Sequence, residues 1–284
     1  MPVYILFALL STLAIGVADF IYSRATRAGV SVGTLTCSQA TIVVPVTAVW
    51  AHFDGGYQWT PPALLGAAAS LFMFAGLMCF MRSVRVGEAS VSTPIYRISF
   101  TITALAAILF LGEQLTARKA AGFLLAGGAI FLLSDFRLGR NGLSRIGRAS
   151  ILWALAAMTA VGLLNVVYKL GMRAGVTPAM FLHSQASFFI VVAHIYAYFQ
   201  QGGPRYSRTG WAHASMTAAS FLVGLPALLF ALRTGEVSVV VPISQLSFVV
   251  SVLMAALWLG ERLTGRRILG ILLAAGTVAA FSGA

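Results

Sequence analysis

The chain carries one long segment written twice, and the number of hydrophobic runs in the repeated unit restricts its fold more than any other feature. Gly87–Gly122 reads GEASVSTPIYRISFTITALAAILFLGEQLTARKAAG. Gly235–Gly270 reads GEVSVVVPISQLSFVVSVLMAALWLGERLTGRRILG, in register and without a gap, at an offset of 148 residues (87 to 235). Glu88, Pro94, Leu111-Gly112-Glu113, Thr116 and Arg118 reappear as Glu236, Pro242, Leu259-Gly260-Glu261, Thr264 and Arg266. The duplication extends upstream at an offset of 146. There Asp19, Tyr22 and Arg27-Ala28-Gly29-Val30 face Asn165, Tyr168 and Arg173-Ala174-Gly175-Val176, and Ser38-Gln39-Ala40 faces Ser184-Gln185-Ala186. The second copy therefore gained two residues between Gln185 and Gly235.

Apolar runs of about 18–24 residues recur along the whole chain, long enough to cross a ~30 Å hydrocarbon core as helices. They are continuously apolar rather than alternating, which excludes a barrel. With 59% hydrophobic and 9% charged residues among 284, there is too little polar material to cover a soluble domain of this size. Ten spans are expected: 3–23, 33–51, 62–81, 89–111, 118–135, 150–170, 178–199, 211–232, 238–259 and 266–282. The first has no basic leader and reads as a retained helix, not a cleaved signal peptide.

A five-span unit repeated once gives ten spans. Because five is odd, the two copies must lie upside down relative to each other. The expected fold is thus all-α integral membrane, with ten transmembrane helices in two inverted five-helix repeats around a central cavity. Residues 1–138 form the first repeat, 139–149 an Arg-rich connecting loop, and 150–284 the second. Gly122 with Ala126 and Gly270 with Ala274 place small residues four apart, suited to close packing of spans five and ten.

The net charge of +12 does not point to nucleic acid, because nearly every Lys and Arg falls in a short loop facing lipid headgroups. Loops after odd-numbered spans hold the larger set of arginines, among them Arg24, Arg27, Arg82, Arg85, Arg205, Arg208 and the central cluster. The positive-inside rule puts that side in the cytoplasm and both termini outside. Cys37 and Cys79 fall within spans and read as free packing thiols, not a disulfide or metal pair.

Two copies of a five-helix unit, each with a proline early in helix four and an LGE(Q/R)LT ending before helix five, resemble the drug/metabolite transporter superfamily, specifically its EamA-type ten-helix exporters. The resemblance spans essentially the whole chain, although the chain lacks the basic residues that many of those relatives carry near the amino terminus. It implies an inverted-repeat carrier in the inner (cytoplasmic) membrane that moves small metabolites, often amino acids, by alternating access. It also implies the opposite orientation to that of the arginine count, and the arginine asymmetry is the signal followed.

Candidate site residues are those that cost energy to place in a membrane. Arg97 lies about nine residues into span four, roughly 13 Å deep, where insertion costs about 2.5–3.5 kcal/mol, so it must face protein or water. Two readings stand: a cationic anchor for a substrate carboxylate or phosphate, or a structural role, as an ion pair with Asp19 or by snorkelling towards a loop. Asp19 can correspondingly bind an amine, carry a proton, or neutralise Arg97. The repeat counterpart of Arg97 is Gln245, and those of Tyr96 and Asp19 are Ser244 and Asn165, which would make the cavity asymmetric. Gln39, Gln185 and His183 sit early in spans two and seven and need partners, either helices or a ligand. For His183 a packing role competes with a proton relay. Pro94 and Pro242 each remove a backbone donor and mark either a hinge or a static kink. Glu88, Glu236, Glu113 and Glu261 read as structural: the first two at helix amino-termini, the others beside Arg118 and Arg266.

The expected function is a secondary transporter for a small polar metabolite, functioning as a monomer or an oligomer, with no cofactor and no metal. A flippase-like or accessory subunit handling a lipid-linked or phosphorylated substrate is the alternative. An intramembrane transferase is disfavoured, since no paired carboxylates, metal-spaced His cluster, nucleophile elbow or phosphate loop is present.

Overall fold

The computed structural model describes residues 1–87, 89–134, 148–259 and 264–283. Glu88, Glu261 and most of the Arg-rich connecting loop lie outside the described residues. The first copy contributes α1 (Val3–Arg27), α2 (Val32–Phe53), α3 (Leu65–Val86), α4 (Ala89–Arg97), α5 (Phe100–Phe110) and α6 (Ala117–Leu133). The second contributes α7 (Arg148–Arg173), α8 (Pro178–Gln201), α9 (Arg208–Thr234), α10 (Val237–Ser244), α11 (Ser247–Leu259) and α12 (Gly265–Ser282). Among the described residues, nine helical stretches are long and apolar enough to cross a bilayer. A further apolar helix, α6, has 17 residues, about 26 Å at 1.5 Å per residue, slightly short of a typical hydrocarbon core.

The repeated sequence folds into repeated local devices. Ser31 and its counterpart Thr177 cap α2 and α8 by accepting the N–H of Thr34 and Met180. Thr116 and Thr264 of the LT dipeptide do the same for α6 and α12 through Lys119 and Arg267. Gly112 of the LGE motif stands at φ +73°, a left-handed position that ends α5 and lets the Glu113 N–H return to the Ala107 carbonyl at 3.2 Å. The motif is a stop, a turn and a restart.

Spans four and nine are each broken into two helices. The proline alone is expected to kink each span, yet the break lies three to four residues further on, at Ile98–Ser99 and at Gln245–Leu246. There the ladder tightens to three-residue bonds, Thr101 N–H to Ile98 O in one copy and Val249 N–H to Leu246 O in the other, each 2.9 Å. Arg97 and Gln245 occupy equivalent places at these junctions.

Packing follows the duplication as well. α3 lies along α7 as α1 lies along α9, while α2 pairs with α8 and α6 with α12. Exchanging the copies maps each pairing onto another or onto itself. The Thr103 hydroxyl donates to the Gly162 carbonyl and the Ser251 hydroxyl to the Gly16 carbonyl, both at 3.0 Å. Gly122 of α6 faces the ring of Phe281, and Gly270 of α12 faces Leu133, the close approach that the small residues at 122, 126, 270 and 274 foreshadow.

Bonds between loops sort the bundle into two ends. At the near end, which carries Met1 and Gly283, Arg118 donates to the Gly283 carbonyl and Arg173 to that of Leu111. At the far end Ser31 donates to Gln201, the Arg205 N–H to Thr34, and Arg266 to the carbonyls of Phe131 and Ser134.

Candidate functional site

Between the copies lies a cavity of about 400 Å³, walled by α1–α4 and α7–α10 and by Ser247 at the start of α11. Its surface is largely apolar, with Phe80, Phe189 and Phe221 among the lining side chains. Polar groups converge on it from both copies.

The most polar point is an ion pair. Arg97 Nη2 donates to Asp19 Oδ2 at 2.8 Å, with side chains 15% and 30% exposed. Ser247 closes a triangle: its hydroxyl accepts from Arg97 Nη1 at 3.0 Å and donates to Asp19 Oδ2 at 3.1 Å. The guanidinium carbon lies 5.6 Å from the ring centre of Phe248 and 6.0 Å from that of Tyr96, so aromatic faces offset part of its lost hydration. Of the two sequence readings for Arg97, the ion pair with Asp19 forms, and it forms at the cavity wall. The pair is electrically balanced yet partly accessible, so it can offer a cation and an anion side by side to an entering solute.

The equivalent site in the second copy is neutral. Gln245 Nε2 donates to Ser99 at 3.0 Å, and Ser99 is the counterpart of Ser247. Asn165, the counterpart of Asp19, donates back to the Val161 carbonyl at 3.0 Å. Further along the walls, the Tyr22 hydroxyl donates to Gln39 Oε1, and in the equivalent pair Gln185 Nε2 donates to the Tyr168 hydroxyl at 2.9 Å. Gln185 Oε1 is buried with no hydrogen-bond partner among the described residues.

Equivalent residues differ in burial. Asp19, Tyr22, Gln39 and Tyr96 are half-buried, whereas Asn165, Tyr168, Gln185 and Ser244 are 5%, 1%, 3% and 7% exposed. Every residue of α10 is buried, while Thr93–Arg97 of α4 are only half-buried. The cavity wall is therefore more exposed around Tyr22 and Gln39, toward the far end, than around Tyr168 and Gln185, toward the near end.

Eight of the nine candidate binding residues line this cavity: Asp19, Gln39, Tyr96, Arg97, Asn165, Gln185, Ser244 and Gln245. His183 does not. At 100° per residue it points away from Gln185, and its ring packs 5.5 Å from that of Tyr57 and 6.0 Å from that of Trp59, with Nδ1 3.4 Å from the Thr47 hydroxyl. Ser99 and Ser247 were not singled out from the sequence, although an identical serine at the same register of both copies was the available signal. Glu113 is placed otherwise than beside Arg118: its carboxylate accepts from the backbone of Val237 and Ser238. Glu236 is the N-cap residue of α10, but its side chain makes no capping bond and pairs with Lys119 instead. Cys37 and Cys79 are free thiols.

The family model of the EamA-like transporters matches residues 2–135 and again 148–283, nearly the whole chain. The chain belongs to that family. It is a multi-pass membrane protein and a transporter, as the resemblance of the repeated LGE motif implied. No curated protein matches. A solved structure, described only as the crystal structure of a protein, is similar at 15% identity with a TM-score of 0.79, covering 98% of this chain and 95% of that one. At that identity the likeness speaks for the fold alone.

Proposed function

We propose that this EamA-family chain is a secondary transporter that exports small polar metabolites such as amino acids by alternating access. The two five-helix repeats, 1–138 and 150–284, are inverted relative to each other, and residues 139–149 join them. One observation carries the substrate class: the Asp19–Arg97 pair on the wall of an otherwise apolar cavity of about 400 Å³, a size usual for small-molecule sites. A zwitterion can exchange partners with such a pair, its carboxylate turning to Arg97 and its ammonium to Asp19, without leaving either charge unmatched. Apolar walls then receive the remainder of the solute. Inversion is supported by the odd span count and by the equivalent arginines Arg118 and Arg266 meeting opposite ends of the bundle, Gly283 in one case and Phe131 and Ser134 in the other. By the arginine asymmetry the far end is cytoplasmic, the near end and both termini are external, and the membrane is the cytoplasmic one.

The test is counterflow of labelled amino acids in proteoliposomes holding the purified chain, with Arg97→Ala alongside. Accumulation that is lost in a folded Arg97→Ala protein supports the reading. Absence of counterflow for every amino acid tried, or unchanged flux in Arg97→Ala, overturns it.

A further inference from the structure

At the near end, polar contacts of Glu113, Lys119, Arg173 and Arg118 cross from one copy to the other, and none of these four residues lines the cavity. Glu113 is buried, 6% exposed. Its Oε1 accepts from the Val237 N–H at 2.7 Å and its Oε2 from the Ser238 N–H at 2.9 Å. These donors are the first turn of α10, which has no carbonyls of its own to offer them, and the helix end favours a carboxylate. Lys119, 3% exposed, forms an ion pair with Glu236 and also donates to the Gln114 carbonyl at 2.7 Å. Arg173 donates to the Leu111 carbonyl at 3.0 Å. Within the second copy, Lys169 Nζ donates to the carbonyls of Leu232 at 2.7 Å and Gly235 at 2.6 Å, which fixes the turn between α9 and α10 that Glu113 and Lys119 hold from the first copy.

We infer that Glu113 is a gating residue: its carboxylate, bound to the start of α10 across the copies, latches the near end of the cavity shut. The placement supports this in two ways. The latch holds α10, a cavity-wall helix buried along its entire length, and the wall residues Tyr22 and Gln39 toward the other end are more exposed than their counterparts Tyr168 and Gln185. Furthermore, α10 leads directly into the junction at Gln245 and Ser247, so release of its first turn frees the wall that touches Arg97. A carboxylate shared by two backbone donors is strong while aligned and is replaceable by water once the helix end tilts out. That is what a contact broken in every transport cycle requires. This inference rests on the alternating-access reading for its meaning, and its test needs neither substrate nor flux.

The experiment places a single cysteine at Leu182, which lines the cavity, in a Cys37→Ala/Cys79→Ala background. Membrane-impermeant maleimide is applied separately to each face of sided vesicles. With Glu113 intact, labelling proceeds through the far end. In Glu113→Gln, labelling through the near end rises by roughly tenfold, the population shift that loss of one charge-assisted bond supports. Lys119→Met is a second, independent opening of the same contact set, and it decides the matter if Glu113→Gln fails to fold. Near-end labelling that stays at the level of the parent in whichever of these variants elutes as a folded monodisperse protein overturns the latch. A latch that opens in a protein showing no amino-acid counterflow keeps this inference and removes the proposed substrate.

Discussion

Gln245 reaches from the second copy of the repeat to donate to Ser99 of the first, at 3.0 Å. The reverse contact, from Arg97 of the first copy to Ser247 of the second, has the same length. Two helix breaks thus brace each other across the cavity, one through a charge and one through an amide. The difference is consequential. Ser247 also donates to Asp19, whereas the side chain of Ser99 meets the second copy, among the described residues, through the bond it accepts from Gln245.

Ser247→Ala should weaken substrate binding more than Ser99→Ala does. The first removes two bonds to charged groups at the proposed binding pair, the second one bond between neutral groups, and each net bond is worth about 1 kcal/mol. Dissociation constants from thermal-shift titration should rise by roughly fivefold or more in Ser247→Ala. Equal effects in the two variants would disconnect the triangle from binding.

Arg97→Gln makes the two junctions chemically alike and strands Asp19 without its cation. Stability should fall, and Arg97→Gln/Asp19→Asn should recover much of it, because leaving one member of a pair unpaired costs more than removing both. Transport should not recover, since neither charge remains for the solute. Melting curves and counterflow on the single and double variants check this; restored flux in the double variant would refute the anchor role.

Pro242 sits three residues ahead of the junction at Gln245. Pro242→Ala supplies the missing N–H and favours a continuous span, which stiffens the segment that must move. Turnover should drop severalfold with affinity little changed. Equal loss of both would mark a static kink rather than a hinge.

Gly16 lies where α1 meets α11, and a Cβ there would stand 2.4 Å from the Ser247 carbonyl oxygen and 2.5 Å from Val250 Cβ. Gly16→Ala should therefore force the helices apart at a cost of about 1–3 kcal/mol. Gly127→Ala, where nothing lies within 4 Å, should be neutral or stabilising by up to about 1 kcal/mol. Unfolding midpoints of the two variants should move in opposite directions or by clearly different amounts.

Much of this molecule was determined by its sequence alone. Apolar runs set the number of membrane helices, because no other regular structure satisfies the backbone in lipid over such lengths. The register of the repeat paired Arg97 with Gln245 and Asp19 with Asn165, and the cost of burying those groups marked them as cavity residues. The threonine caps of α6 and α12 and the glycine stop at Gly112 were not singled out from the sequence, although both follow from local rules.

Only the tertiary structure decided who meets whom. Whether Arg97 would pair with Asp19 or stay free depended on the distance between α1 and α4, which no local pattern encodes. His183 left the cavity because helix rotation turned it toward Tyr57 and Trp59. Glu113 went to the start of α10 rather than to nearby Arg118, because packing of the two copies brought unsatisfied amide donors within reach of a buried carboxylate. Burial separated Tyr22 from its twin Tyr168: two identical residues at equivalent positions acquire different surroundings once one end of the bundle closes.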